Sequence, residues 1–492
     1  MAVAALGVAA AMICTVASGA EGVPMRAGGT SEVERILACA GGTSASAVGV
    51  SSVEGTSGPG SNLASAVGVP ASIEGTSDAG GTSAGGGKKK TYDVAAYIWP
   101  AYHNDPRWSE IGLFPDGKGE WEAVYSARPK FEGHRQPRVP LWGYFDETDP
   151  RMQEKIIRTA TKYGVNTFIF DWYWFDNRPF LEDVLDKGFL GARNNGKMKF
   201  YLMWANHLAT AYWDRHESDK SKYYWRGEVT REVFEGFTDH IIRDYFTRDN
   251  YYTIDGKPVF AIYEVGTFIR GVGGIDEARE ALESLRAKCV KAGLPGVHIQ
   301  AIMWSALPET PSRVAAVGAG GGAVGSAVGS AAGGADGSAA VGAAGGAAGS
   351  AAGDGGVSQE NTLRTLGFDS ITNYQWCHLV PANMDYQSWG EKGQAFYEKY
   401  DREISVPYFP HVSIDWDNNP RYPGPAQPCV TGVTPEKFEG FLRKAKAYVD
   451  AHPDQPPIVT INAWNEWSEG SCLEPDTYYK YGFLKAVKKV FK

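Results

Sequence analysis

Ile458-Val459-Thr460-Ile461-Asn462-Ala463-Trp464-Asn465-Glu466-Trp467-Ser468-Glu469-Gly470 opens as an unbroken β-rich run and ends in tryptophans, asparagines and two carboxylates. A continuous Val/Ile run reads as a parallel strand buried on both faces. Polar residues at its C-terminal edge then sit where α/β folds put their chemistry. Two glutamates three positions apart can hold a proton donor and a proton acceptor in one pocket. Tryptophans beside them offer flat apolar faces, limit water and raise the pKa of a nearby carboxylic acid.

Working outward, eight short apolar or β-rich runs occur in the non-repetitive sequence: 92–99, 165–170, 199–205, 258–263, 297–303, 368–372, 406–412 and 458–463. Charged stretches with helical apolar spacing lie between them, at 149–163, 178–190, 230–246, 275–292, 387–402 and 434–451. A last helix is expected over 477–490 and a short one over 358–366. Thr434-Pro435-Glu436 and Asp149-Pro150 read as caps followed by proline at the first helical position, and Gly164 and Gly293 stop helices just before strands. Alternation of strand and helix predicts an α/β fold, a (β/α)₈ TIM-like barrel. A doubly wound open sheet is the main alternative, but no GxGxxG or P-loop follows the first strand, and polar clusters follow nearly every strand.

Two tracts stand apart. Residues 1 to about 90 and about 313 to 357 are dominated by Gly, Ala, Ser, Val and Thr, so neither can bury enough surface to offset the entropy of ordering. They read as a disordered N-terminal tail and a low-complexity insertion in one catalytic domain spanning 91–492. The repeat of Ser46-Ala47-Val48-Gly49-Val50 as Ser65-Ala66-Val67-Gly68-Val69 looks like repeat expansion. Removing both tracts leaves roughly 360 residues, within the range of a single such barrel.

Composition excludes several partners. Net charge is −9 with no long basic stripe in the folded segments, which argues against nucleic acid. The six cysteines show neither CxxC nor Cys/His ligand spacing, so no metal is expected. Met1–Ala20 carries an apolar stretch and small residues suited to cleavage but lacks a basic n-region, so it points only weakly to the secretory pathway, with the cytoplasm as the other reading. That stretch is too short and alanine-rich for a stable membrane span. Oligomeric state is not legible.

The residues following the strands converge on one rim: Tyr102-His103, Asp171-Trp172-Tyr173-Trp174, Asn206-His207, Glu264, Trp304, Asn373-Tyr374-Gln375-Trp376, Asp415-Trp416-Asp417-Asn418 and Trp464 to Glu469. Aromatic platforms, amides and carboxylates together suit a carbohydrate, whose rings offer C–H faces for stacking and a fringe of hydroxyls for hydrogen bonding. The expected catalytic pair is Glu466 and Glu469. The expected substrate-binding set is Tyr102, His134, Asp171, Trp172, Trp174, Trp204, Asn206, His207, Trp304, Tyr374, Trp416, Asp417, Trp464, Asn465 and Trp467. Each has a plainer reading: a helix cap or loop acid for the glutamates, rim packing for the tryptophans, and a hydrogen-bonded structural group for His134 and His207. Asp171 and Asp417 suit hydroxyl binding and loop bracing alike.

The ordered motifs His134-Arg135-Gln136-Pro137-Arg138-Val139-Pro140, Gly143-Tyr144-Phe145-Asp146, Trp204-Ala205-Asn206, Trp416-Asp417-Asn418-Asn419-Pro420-Arg421, Asn462 to Gly470 and Leu473-Glu474-Pro475-Asp476 resemble the WbsX-type proteins. Those proteins carry a domain similar to glycoside hydrolase family 99, and the resemblance covers essentially all of 91–492 outside the inserted tract. It implies a (β/α)₈ barrel that cleaves α-mannosidic linkages with retention and needs no metal or cofactor. Glu466 then matches the base that helps the substrate's own 2-hydroxyl attack the anomeric carbon. Glu469 matches the general acid. Substrate assistance relaxes the spacing rule for an enzymic nucleophile. The sequence departs from the pattern at His207, where an acid is common, and at Asp171, where an aromatic is common. The WbsX label also carries a glycosyltransferase reading, and a non-catalytic carbohydrate-binding barrel is the third alternative. Against the transferase, no DxD-like metal-diphosphate motif is expected at a strand end and no Gly-rich diphosphate cradle in the folded part.

Overall fold

Eight parallel strands follow one another along the chain: β1 (Asp93–Ile98), β2 (Thr167–Phe175), β3 (Lys199–Trp204), β4 (Lys257–Ile262), β5 (His298–Ile302), β6 (Ser370–Thr372), β7 (His411–Ser413) and β8 (Ile458–Asn462). The computed structural model describes residues 90–305, 307 and 355–492. The expected tail through residue 89 and inserted tract through residue 354 lie outside the described residues.

The lateral order is β6-β5-β4-β3-β2-β1-β8-β7. Across the remaining seam Ile371 of β6 bridges Tyr408 in parallel, with Ile371 N donating to Pro407 O and Ile371 O accepting from Phe409 N, each at 2.9 Å. That bridge closes the sheet into the barrel that the alternating pattern predicts.

Helices fill the connections. α1 (Pro106–Glu110), α2 (Trp121–Ser126) and α3 (Pro150–Tyr163) lie between β1 and β2. α4 (Arg231–Ile241) follows β3, α5 (Val265–Val272) and α6 (Ile275–Lys291) follow β4, and α7 (Gly355–Leu366) precedes β6. α8 (Tyr386–Glu403), α9 (Pro435–Ala451) and α10 (Gly482–Phe491) follow β6, β7 and β8. The caps behave as their chemistry requires: Asp149 accepts from Arg151 N, Thr434 accepts from Lys437 N, and Gly164 ends α3 at φ +105°.

One expected helix is mostly something else. Arg178–Phe180 pairs antiparallel with Tyr173–Phe175, because Asp176 and Asn177 adopt positive φ (50° and 61°) and turn β2 back on itself as a two-residue hairpin. Only a single π-helical turn, Val184–Phe189, remains of the helix expected over 178–190.

The barrel interior is polar. Tyr201 Oη donates to Gln300 Oε1 at 3.3 Å, Thr372 Oγ1 lies 3.0 Å from Thr460 Oγ1, and His411 hydrogen-bonds Thr460 and Ser413. Such groups tolerate burial because each has a partner. Outward-facing Phe168, Phe170 and Phe200 pack with Phe189, and each buried ring contributes about 2–3 kcal/mol of hydrophobic stabilisation.

Candidate active site

The chain leaves β8 through a small hairpin in which Asn465–Glu466 pairs antiparallel with Ser471–Cys472 around the 3₁₀ turn Trp467–Glu469. Residues i and i+3 eclipse in 3₁₀ winding, so Glu466 and Glu469 project to one side. Both line a cavity of about 380 Å³ at the C-terminal mouth of the barrel. Gly470 completes the turn at φ +76°, and a Cβ there would come within 2.8 Å of Arg138 Nη2. Arg138 needs that space, since Nη1 donates to Gly470 O at 2.8 Å and Nη2 to Asp415 Oδ2 at 2.6 Å.

Three further braces hold the hairpin. Asn465 Nδ2 donates to Trp99 O (2.8 Å) and Glu147 Oε1 (2.7 Å), while Asn465 Oδ1 accepts from Trp99 N (2.8 Å). Trp467 Nε1 donates to Glu474 Oε2 at 2.8 Å, and Ser468 N donates to Tyr102 Oη at 3.1 Å. Apart from Trp99, the residues that position the glutamate pair do not line the cavity.

Arg421 is the cation between the acids. Its Nη1 contacts Glu469 Oε1, its Nη2 lies 3.6 Å from Glu466 Oε1, and its Nε donates to Glu120 Oε1 at 2.6 Å. Tyr212 Oη donates to Glu469 Oε1 at 3.1 Å, and Tyr374 Oη lies 2.8 Å from Asp171 Oδ2 and 3.0 Å from Glu466 Oε2. A single hydroxyl has one proton to give. Both Tyr374 contacts are hydrogen bonds only if Asp171 or Glu466 carries a proton of its own.

Three buried carboxyls, Glu120, Glu466 and Glu469, converge on the one Arg421 guanidinium, and Tyr374 links a fourth, Asp171, to Glu466. Burial raises Glu466 well above the usual carboxylate range, with repulsion from Glu469 adding to it. Burial also raises Glu469, but Arg421 opposes the rise. Burial raises Asp171 as well. The pair titrates as a unit, and the tight Arg421 contact favours the charge on Glu469 when the site is empty.

The walls are aromatic. Trp99, Tyr173, Trp213, Tyr263, Trp304 and Trp416 line the cavity, with Tyr263 stacked on Trp304 at 5.3 Å and 13°. His207 joins them, held by Nδ1–H donating to Leu208 O at 2.9 Å and kept neutral by burial. Of the expected residues, Asp171, His207, Trp304, Tyr374, Trp416, Glu466 and Glu469 meet here.

The others do not line it, and strand pleating supplies the main reason. Successive side chains alternate across a strand, so Asp171 and Tyr173 face inward while Trp172 and Trp174 face outward onto Phe237. Trp204 likewise packs against Phe234, Phe237 and Phe268 behind the wall. Trp464 packs on Phe168, and Trp467 on Trp121. Asn206 exchanges two 2.8 Å hydrogen bonds with the Glu264 backbone, joining the ends of β3 and β4. Tyr102 and Asn465 brace the hairpin, as described. His134 and Asp417 bind each other at 2.9 Å, which leaves them as a loop clamp.

Sequence reasoning misses Arg421, Glu120, Tyr212, Trp213, Tyr263 and His378 as site residues. Tyr263 had a signal, as an aromatic directly after β4. Arg421 ends the Trp416–Arg421 motif, whereas the others come from loops whose closeness to β8 no local pattern reveals.

Among the described residues, His134, Asp417 and Cys429 place potential metal-ligand atoms within 4.8 Å of one another. Hydrogen bonds already use this group: Asp417 Oδ2 accepts from His134 and from Gln136 (2.7 Å), and Oδ1 accepts from Asn419 Nδ2 (2.7 Å). Burial also pushes the Cys429 thiol up to about 12, away from the ligating thiolate. Asp415-Trp416-Asp417 is a D-x-D spacing just after β7, contrary to the expectation that none follows a strand. Its carboxylates are taken by Arg138 and by the His134–Gln136 clamp.

The family model described as Glycosyltransferase WbsX matches residues 94–487. The chain belongs to the WbsX family. It is 24% identical over 404 residues to Uncharacterized protein WxcX of Xanthomonas campestris pv. campestris, a match covering 80% of this chain and 49% of that protein. This WbsX-family chain thus spans about half the length of the curated relatives it matches. Among solved structures, a glycoside hydrolase-like protein matches at TM-score 0.48 and 14% identity, covering 82% of this chain and 95% of that one. The GH99 endo-alpha-mannosidase of Bacteroides thetaiotaomicron, in complex with BIS-TRIS-propane, matches at TM-score 0.46 and 11% identity, covering 81% and 95%. No described helix is long and apolar enough to cross a membrane.

Proposed function

We propose that this chain is a retaining glycoside hydrolase acting on an α-linked, mannose-containing oligo- or polysaccharide. The observation carrying the proposal is that Glu466 and Glu469 share one aromatic-walled cavity with a single cation between them. Aromatic faces stack sugar rings, and a buried carboxyl pair able to hold a proton between them can serve acid and base steps together.

In the reaction, Glu466 takes the proton of the substrate 2-hydroxyl as its oxygen bonds to the anomeric carbon. Glu469 gives a proton to the departing glycosidic oxygen as that C–O bond breaks. Water then attacks the anomeric carbon, losing a proton to Glu469, while Glu466 returns its proton to the 2-oxygen. Two displacements give retention. Arg421 stabilises the negative charge that the pair carries throughout.

The Arg421–Glu469 contact favours the reverse proton placement in the empty site, so a second reading exchanges the roles, with Glu466 the acid. Substrates with different leaving groups separate the two. On a natural glycan, Glu469→Gln and Glu466→Gln should each lower turnover by about 10²–10⁴-fold. On an aryl glycoside with a good leaving group, only the variant lacking the acid should recover. Recovery of Glu466→Gln instead of Glu469→Gln establishes the second reading. Turnover that requires a sugar nucleotide supports a transferase, and glycan binding without turnover supports a binding barrel.

A further inference from the structure

A second hollow of about 310 Å³ lies on the same rim, lined by Arg128, Lys130 and Arg215 and by the turn from Tyr422 to Ala426. No carboxylate lines it, and none of the three cations forms an ion pair within the described residues. This is unusual in a chain of net charge −9.

The cations are held by carbonyls instead. Arg128 Nη1 donates to Ala127 O at 2.8 Å and to Tyr125 O at 3.2 Å, and Lys130 Nζ donates to Pro425 O at 3.1 Å. Arg215 Nη2 reaches Ser126 O at 3.5 Å, and its Nε is shielded from solvent without a partner. Burial lowers the proton affinity of Arg215 and Lys130. Arg128 adds repulsion to the first; at the second, Asp417 opposes the fall and Arg215 adds to it. Like charges gathered this way cost stability until an anion neutralises them.

The hollow adjoins the catalytic cavity. The loop after β7 supplies Trp416, Arg421 and Pro428 to the cavity, and Asn419 and Tyr422 to the hollow. Tyr212 of the cavity wall meets Tyr422 edge-on at 6.3 Å. We propose that the hollow is an oxyanion subsite that receives a carboxylate, sulfate or phosphate substituent on the saccharide occupying the cavity. The substrate is then an acidic glycan. The oxyanion site stands on its own residues, whereas the assignment of its occupant to a glycan rests on the proposed function.

Calorimetric titration of the full chain with inorganic phosphate tests the site without any sugar. Saturable binding is expected, weakened about tenfold or more in the Arg128→Gln/Arg215→Gln double variant and restored by Arg128→Lys/Arg215→Lys. Absence of saturable binding, or equal binding by the Gln pair, overturns the site. A neutral α-mannan compared with the same mannan phosphorylated or oxidised at C6 to the uronate tests the occupant. Wild type should prefer both acidic forms, less so as salt rises, and the Gln pair should lose that preference while keeping its affinity for the neutral chain. Phosphate binding with no preference among the glycans, or tight binding of a nucleoside diphosphate alone, refutes a glycan-borne anion. Preference for acidic glycans that are never cleaved leaves the subsite standing while the hydrolase reading fails.

Discussion

Glu474 is 2% exposed and receives Trp467 Nε1 at 2.8 Å, so it anchors the tryptophan that separates the two catalytic candidates. Its other oxygen has no hydrogen-bond partner. Burial pushes its pKa from the ordinary 4.5 to about 8. The folded protein therefore keeps a proton that the unfolded chain releases. Between about pH 4.5 and 8 the unfolded state binds fewer protons than the folded one, so stability must fall as pH rises, by about 1.4 kcal/mol per pH unit from this group alone. From pH 5 to pH 7 the loss is about 2.5 kcal/mol, and it levels off above about pH 8 near 5 kcal/mol.

Glu474→Gln tests this, because an amide mimics the protonated acid in shape and keeps an oxygen for Trp467. Denaturant unfolding of both proteins across that range should show the wild type losing stability relative to the variant steadily with pH, so that the variant is the more stable by several kcal/mol at pH 8. Buried acids that do not feel Glu474 titrate alike in both proteins and cancel in the difference; Glu147, which the Glu474 charge pushes up, adds a smaller contribution of its own. A difference in unfolding free energy that is flat from pH 5 to pH 8 refutes the claim that Glu474 is held protonated.

Removing a cavity-wall ring should act on binding. Trp304→Ala should weaken glycan affinity roughly tenfold, about 1–2 kcal/mol, with little change in unfolding midpoint. Trp204→Ala should do the opposite, costing about 3–5 kcal/mol of stability while the folded fraction keeps its glycan affinity in a titration. Arg421 lowers the proton affinity of both glutamates, so Arg421→Gln should move the acid limb of the pH–rate profile to higher pH; an unmoved limb excludes the charge coupling. Asn465→Ala strands the Trp99 backbone groups and should cost about 2–3 kcal/mol in urea unfolding.

Much of the barrel was legible because its signals are local. Each strand is a short β-rich run, the Asp149 and Thr434 caps precede proline, and Gly164 sits where only a residue tolerant of positive φ ends a helix cheaply. The Arg178–Leu190 segment was misread because its apolar spacing suits a helix, while the Asp176-Asn177 turn that overrides it is also a local signal. The tryptophans at the strand ends were legible as a group but not individually. Pleat alternation sends Asp171 inward and Trp172 outward, and the phase of that alternation depends on which face the closed sheet turns to its helices.

The sequence alone determined the order of the eight barrel strands and of α3, α4, α6, α8 and α9 among them, and it put Glu466 and Glu469 three residues apart after the last strand, since these follow from periodicity and spacing along the chain. Tertiary structure alone decided that Arg421 stands between them, that Tyr374 spans Asp171 and Glu466, and that Arg128, Lys130 and Arg215 gather in one hollow. These meetings join residues tens to hundreds of positions apart. Barrel closure brings their loops to one rim, and charge coupling and burial depend on distance in space, which no linear pattern encodes.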